Sequence, residues 1–181
     1  VSSHALRLDR VTGTQFAAAT FTNLSPDHLD FHRDMDDYLD AKAMLFETLP
    51  GEAPAVLNFA DPVTPSLAER TSGRTVTYGW EGGKGATPDY YLERFDSHPD
   101  GSMLYLATPA ATGCIETPLF GRANAENIGA AVATAMELGF SFDAVSKAVS
   151  SFRGEPGRLQ AVNAGQPFRV LVDFAHTPGA L

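Results

Sequence analysis

Cysteine is nearly absent: Cys114 stands alone among 181 residues. No internal disulfide can close, so a reducing, cytoplasmic setting is expected. Basic residues are scarce too, with 13 Lys and Arg against 22 Asp and Glu and a net charge of -9. That balance argues against a nucleic-acid partner, which calls for a basic patch. No apolar run approaches the length of a membrane span, and no signal peptide is expected. A phosphate-cradling loop is missing: Gly82-Gly83-Lys84-Gly85 lacks the G-x-x-x-x-G-K-[ST] spacing and reads as a flexible connection. Repeats and low-complexity tracts are missing as well. The chain starts at Val1 without an initiator methionine and ends at Gly179-Ala180-Leu181, so a domain fragment is expected.

What is there suffices for one domain with a real core, since 44% of the residues are apolar. Short apolar runs at Phe16–Phe21, Ala53–Phe59 and Thr75–Trp80 read as buried strands. Helices are expected from Asp34, an N-cap with Asp36 and Asp37 in the first turn, and over Pro65–Arg70. Another opens in Gly121–Asn127, with Asn124 as N-cap and Glu126 in the first turn, and stops at Gly139. A helix over Phe142–Phe152 turns Val145, Ala148, Val149 and Phe152 to the core. Tyr90–Phe95, Ser102–Thr108 and Cys114–Pro118 are consecutive strands, read as a small antiparallel sheet beside the parallel one. A hairpin joins Gln160–Val162 to Phe168–Val172. The fold class is therefore α/β: a mainly parallel sheet flanked by helices, with a small antiparallel sheet.

The chemistry concentrates in Thr22–Lys42. A loop dense in Asp27, His28, Asp30, His32 and Asp34 follows the strand that emerges at Thr22-Asn23, where open α/β sheets gather ligands. On the next helix Lys42 sits inside the apolar stripe of Tyr38, Ala41, Leu45 and Leu49. Burial favours the neutral amine, which can take up carbon dioxide as a carbamate, an oxygen ligand suited to Mg²⁺. The plainer alternative is a packed stem with its ammonium in water. D-H-x-D-x-H is open to two readings: a hydrolase metal cluster of His28, Asp30 and His32, or loop-ordering by Asp27, Asp30 and His32. By residue type alone Ser2 is a helix cap, Arg10 and Arg158 are surface charges, and Asp173 is a strand-end cap.

T-N-L-S-P-D-H-L-D-F-H with Y-L-D-A-K-A-M-L-F resembles the central, ATP-binding domain of the Mur ligases. V-S-S-H-A-L, G-R-A-N-A-E-N, P-G-R and D-F-A-H-T-P extend the likeness in the right order. It is nearest the type that adds the third residue of the peptidoglycan stem peptide. The resemblance implies that residues 1–178 are that P-loop-like domain, truncated on its N-terminal side, with 179–181 starting a linker. It implies an ATP-dependent amide ligase adding lysine or meso-diaminopimelate to UDP-N-acetylmuramoyl-L-alanyl-D-glutamate through an acyl phosphate, with this fragment inactive alone. Carbamylated Lys42 and His28 would hold Mg²⁺. Ser2, Arg10, Thr22 and Asn23 would meet the muramoyl-peptide substrate. Asn127 would meet the adenine, Arg158 the terminal phosphates and Asp173 the ribose, and His176, counted with the nucleotide-binding residues, would lie at the hinge into the family's C-terminal domain. Two departures stand out: Ala123 and Glu126 replace the family's aromatics near Asn127, and Ala60 interrupts an acidic pair, leaving Asp61 without a role. The alternatives are a folylpolyglutamate-synthetase-like ligase and the metal hydrolase.

Overall fold

Pro54–Asn58 (β2) is buried at its first four positions. Successive strand residues point to opposite faces, and both faces are covered here. Ala55 and Leu57 pack into one apolar cluster with Ala19, Phe21, Phe46 and Leu67. Val56 joins a second with Tyr78, Leu92 and Val132. Two-sided burial is why this strand reads as a continuous apolar run. The computed structural model describes residues 1–81, 85–98, 101–162 and 164–175.

Around β2 lies one six-stranded sheet. Ala19–Phe21 (β1), β2, Arg74–Gly79 (β3) and Tyr90–His98 (β4) pair in parallel, in chain order. Gly101–Ala107 (β5) and Thr112–Thr117 (β6) continue it antiparallel. The helices are Ser3–Arg7 (α1), Met35–Glu47 (α2), Thr64–Arg70 (α3), Arg122–Glu137 (α4) and Phe142–Ser151 (α5). Residues of α2 and α3 fill the first cluster, and those of α4 and α5 the second. Gln160–Val162 (β7) and Val170–Val172 (β8) form a separate two-stranded antiparallel sheet. The expected α/β class, with a small antiparallel sheet, is what the chain adopts.

The strands assigned to that small sheet were the wrong ones. β4, β5 and β6 belong to the main sheet, because β4 pairs with β3 through Tyr78↔Tyr90 and Gly79↔Tyr91. Turn signals reveal consecutive hairpins, but which sheet they join is a long-range pairing. β5 alternates buried and half-buried residues, the pattern of a strand packed on one face.

Other boundaries moved for local reasons. β1 is shorter than Phe16–Phe21, since its partner β2 begins only at Pro54, opposite the residue before Ala19; Phe16 still packs on the cluster. Asp34 caps α2 as expected, its Oδ1 accepting from the Asp37 N–H at 2.8 Å. α4 is capped by Gly121 at φ 86, not by Asn124, whose amide instead donates to the Phe120 carbonyl at 2.9 Å. Glu126 lies beyond the first turn and accepts from Trp80 Nε1 at 2.9 Å. On α5 only Val145 is buried and Phe152 is 46% exposed, so the face read as plain core lines a groove instead. The glycine cluster at 82–84 lies outside the described residues. Among the described residues no helix is long and apolar enough to cross a membrane.

Candidate functional site

The carboxyl ends of β1 and β2 are laced together by side chains. Asn58, last in β2, donates to the Thr22 carbonyl at 2.7 Å and accepts from the Ala60 N–H at 3.0 Å. Asp61 accepts from the Leu24 N–H at 2.9 Å through one oxygen and from the Val63 N–H at 3.1 Å through the other. Asp61 therefore holds the loop after β1 against the turn into α3, a part the sequence reading withheld from it. A-D-P after a strand was the signal, as aspartate bonds backbone two residues on. Thr22 and Asn23 are left exposed at this edge.

His28 follows on the same loop with φ 55, a backbone region few residues other than glycine adopt. Its N–H donates to Asp27 Oδ1 at 2.8 Å, and its carbonyl accepts from the N–H groups of Phe31 and His32. Asp27 thus orders the loop, as expected. The His28 ring lies edge-on to Tyr38, centroids 6.0 Å apart. Lys42, one helical turn beyond Tyr38, sets its Nζ 5.0 Å from the centre of the same ring. Lys42 is half-buried and, among the described residues, has no ion-pair partner. Loss of solvation pushes its amine below the ordinary 10.5, and the charge of Asp27 opposes that in part. The amine in the apolar stripe and the imidazole of the loop thus flank one aromatic ring.

The hydrolase cluster is not assembled. His32 is turned inward at 2% exposure, with Nε2 2.8 Å from Ser3 Oγ. Among the described residues no three His, Cys, Asp or Glu side chains are grouped to hold a metal. Ser2 does cap α1, its Oγ accepting from the Ala5 N–H at 3.1 Å. Arg10 is exposed and its N–H donates to the Ala5 carbonyl. Sequence reasoning missed Arg7, whose guanidinium meets Asp37 Oδ1 at 2.6 Å and ties α1 to α2.

A second region gathers part of the expected nucleotide set. Asn127 and Arg158 both line a cavity of about 930 Å³ between α4, α5 and the 152–158 loop. Its walls are otherwise largely apolar, and it shares no residue with the Lys42–His28 cluster. The Arg158 guanidinium lies 5.3 Å from the centre of the Phe174 ring. Asp173 accepts from the Leu159 N–H at 2.7 Å and the Ala175 N–H at 2.6 Å. These two donors hold its carboxyl below the ordinary 3.8, so it caps the strand end. His176 lies outside the described residues. Trp80, held by Glu126 and faced by the Arg122 guanidinium at 4.9 Å, was not singled out from the sequence.

A sheet wrapped by helices on both faces, with its polar loops at the carboxyl ends of parallel strands, defines the open α/β class, in which ligands gather at that edge. The Mur ligase middle domain family model matches residues 1–135, and the chain belongs to that family. It is 41% identical, over 100% of its length, to UDP-N-acetylmuramoyl-L-alanyl-D-glutamate--2,6-diaminopimelate ligase of Bacillus velezensis, and spans 37% of that protein. The protein of the same name in Solibacter usitatus is 42% identical over 100% of the chain, which spans 36% of it. A solved structure of a ligase of that name superposes with a TM-score of 0.82 and 32% identity, over 99% of this chain and 37% of that one.

Proposed function

We propose that this chain is the central part of a cytoplasmic, ATP-dependent ligase joining 2,6-diaminopimelate to UDP-N-acetylmuramoyl-L-alanyl-D-glutamate, through an acyl phosphate, in peptidoglycan synthesis. The observation that carries the reading is the Lys42 amine, half-buried and unpaired among the described residues, flanking Tyr38 opposite His28. The names of the relatives aligned to the whole chain support diaminopimelate over lysine. They also favour this reading over a folylpolyglutamate-synthetase-like ligase, since the folylpolyglutamate synthetase structure shares the fold at 16% identity.

Lys42, as a carbamate, and His28 are the residues that would hold Mg²⁺, both set against the Tyr38 ring. An amine whose charged form is disfavoured by burial is primed to add carbon dioxide: the nitrogen lone pair forms the N–C bond and a proton is released. The product would present two oxygens, hard ligands for Mg²⁺, over the Tyr38 ring that the His28 imidazole also meets. Mg²⁺ held there would neutralise phosphate oxygens of ATP. Asn58 and Asp61 fix the loop that carries His28. Thr22 and Asn23, exposed at the strand end, would meet the muramoyl peptide together with Ser2 and Arg10. In the second region Asn127 would face the adenine, Asp173 the ribose, and Arg158 would supply positive charge to the terminal phosphates; His176 would also serve the nucleotide. The net charge of -9 suits small-molecule substrates, with no nucleic-acid partner.

The test is phosphate release and product mass with the intact protein, ATP, Mg²⁺ and UDP-N-acetylmuramoyl-L-alanyl-D-glutamate, offered diaminopimelate or lysine. Phosphate release should depend on both substrates and yield the diaminopimelate amide. Release without a new amide, or without need of the muramoyl dipeptide, contradicts the proposal.

A further inference from the structure

A buried polar line, Ser3–His32–Asp37, meets the Lys42–His28 cluster at Tyr38 and has no part in the ligand-binding roles proposed above. Ser3, on α1, is 1% exposed, and His32 is 2% exposed. His32 Nε2 lies 2.8 Å from Ser3 Oγ. Its other nitrogen, Nδ1, is buried without a hydrogen bond, and Asp37 Oδ2 faces it at 3.5 Å. Ser, His and Asp in this order suggest a nucleophile relay, but a serine this buried cannot reach a substrate. A buried nitrogen left unbonded is costly. One tautomer makes sense of both ends: the Ser3 hydroxyl donates to Nε2, and Nδ1–H points at the Asp37 carboxylate.

The line is coupled to the site by stacking. The His32 ring lies on Tyr38, centroids 4.9 Å apart and planes 20° from parallel. Tyr38 follows Asp37 directly, and Lys42 is one turn further along α2, with its Nζ over the same ring. Asp37 also receives Arg7 from α1 at 2.6 Å and the Arg33 N–H at 3.2 Å. Rotation of α2 about its axis decides where the Lys42 amine emerges, and these contacts fix that rotation at the first turn.

We infer that His32, held between Ser3 and Asp37, is a positioning residue that sets the orientation of α2 and thereby places the Lys42 amine beside His28. The inference rests on the ligase reading above. The experiment uses the intact protein with His32→Phe, His32→Asn, His32→Gln, Asp37→Asn and Lys42→Ala. It reads kcat, KM for ATP, the carbamate signal in ¹³C NMR after ¹³C-bicarbonate, and folding by circular dichroism. Phenylalanine keeps the stack and removes both nitrogens, asparagine puts an amide N–H near the place of Nδ1, and glutamine puts one near Nε2. His32→Phe and Asp37→Asn should lower kcat about 10- to 100-fold, as for groups that orient a ligand, with KM for ATP held and the carbamate signal reduced. His32→Asn should recover more activity than His32→Gln. In the Lys42→Ala background, His32→Phe should add nothing further. A folded His32→Phe with kcat and carbamate signal unchanged overturns the inference. If His32→Phe does not fold, Asp37→Asn decides on the same criteria. If Lys42→Ala itself keeps full activity, the ligase site is misplaced, which is a separate failure.

Discussion

A carboxylate that accepts two backbone N–H groups is favoured as the anion, and Asp173 is such a group through Leu159 and Ala175. Its folded value lies below the ordinary 3.8. The stability it contributes is therefore fully present above pH about 3.8 and is lost as pH falls through the lowered value. In urea titrations, wild type and Asp173→Ala should differ most near neutral pH and converge in strong acid. A difference that does not change with pH would show that the two N–H bonds do not hold this strand end. Single residues were legible where their partners are local. Lys42 showed itself by sitting in an apolar stripe one turn from Tyr38, and Asp34 by preceding a run with acids in its first turn. The Arg7–Asp37 and Leu24–Asp61 bonds did not show themselves, because their partners lie 30 and 37 positions apart; only the bond of Asp61 to the Val63 N–H is local. His32 showed its residue type but not its inward orientation, which depends on α1 packing over it.

At the scale of elements, close approach decides more than propensity. Gly73 enters β3 where an added Cβ would stand 2.6 Å from the Ala53 carbonyl oxygen and 3.1 Å from Leu49 Cδ1. Backbone cannot yield as a side-chain tip can, so Gly73→Ala should cost about 1–3 kcal/mol, read from the urea midpoint. Gly51→Ala is the control: its Cβ would make ordinary contact at 3.7 Å with the Ser72 carbonyl, and the change should stay within about 0.5 kcal/mol. Equal effects at the two glycines would sink the packing argument. The helices were the most legible elements, since the 3.6-residue apolar period and the caps are local. α4 was misread at its start because an Asn was preferred to a Gly as cap. β4 to β6 were seen as strands from their alternation and turns, but their sheet was set by the pairing of Tyr78 with Tyr90, which alternation does not reveal.

Across the whole molecule, β2 is the strand through which both clusters communicate. Leu57 is fully buried there, beside Phe21 of β1 in the same cluster. Leu57→Ala should cost about 2–5 kcal/mol and shift the urea midpoint without changing the slope; a loss under about 1 kcal/mol would mean the core is not organised as described. That core holds β1 and β2 against α2 and α3, and so supports the loops from Thr22 to His28 and from Asn58 to Asp61 that frame the candidate site. The Lys42 amine is the group on which the proposed chemistry converges. The most direct measurement is ATP-dependent phosphate release by the intact protein, with the muramoyl dipeptide and diaminopimelate supplied, for wild type and Lys42→Ala. The account predicts a fall of about 10²- to 10³-fold or more, partly restored by a short free carboxylate in place of the missing oxygens. A Lys42→Ala rate equal to that of wild type would contradict it.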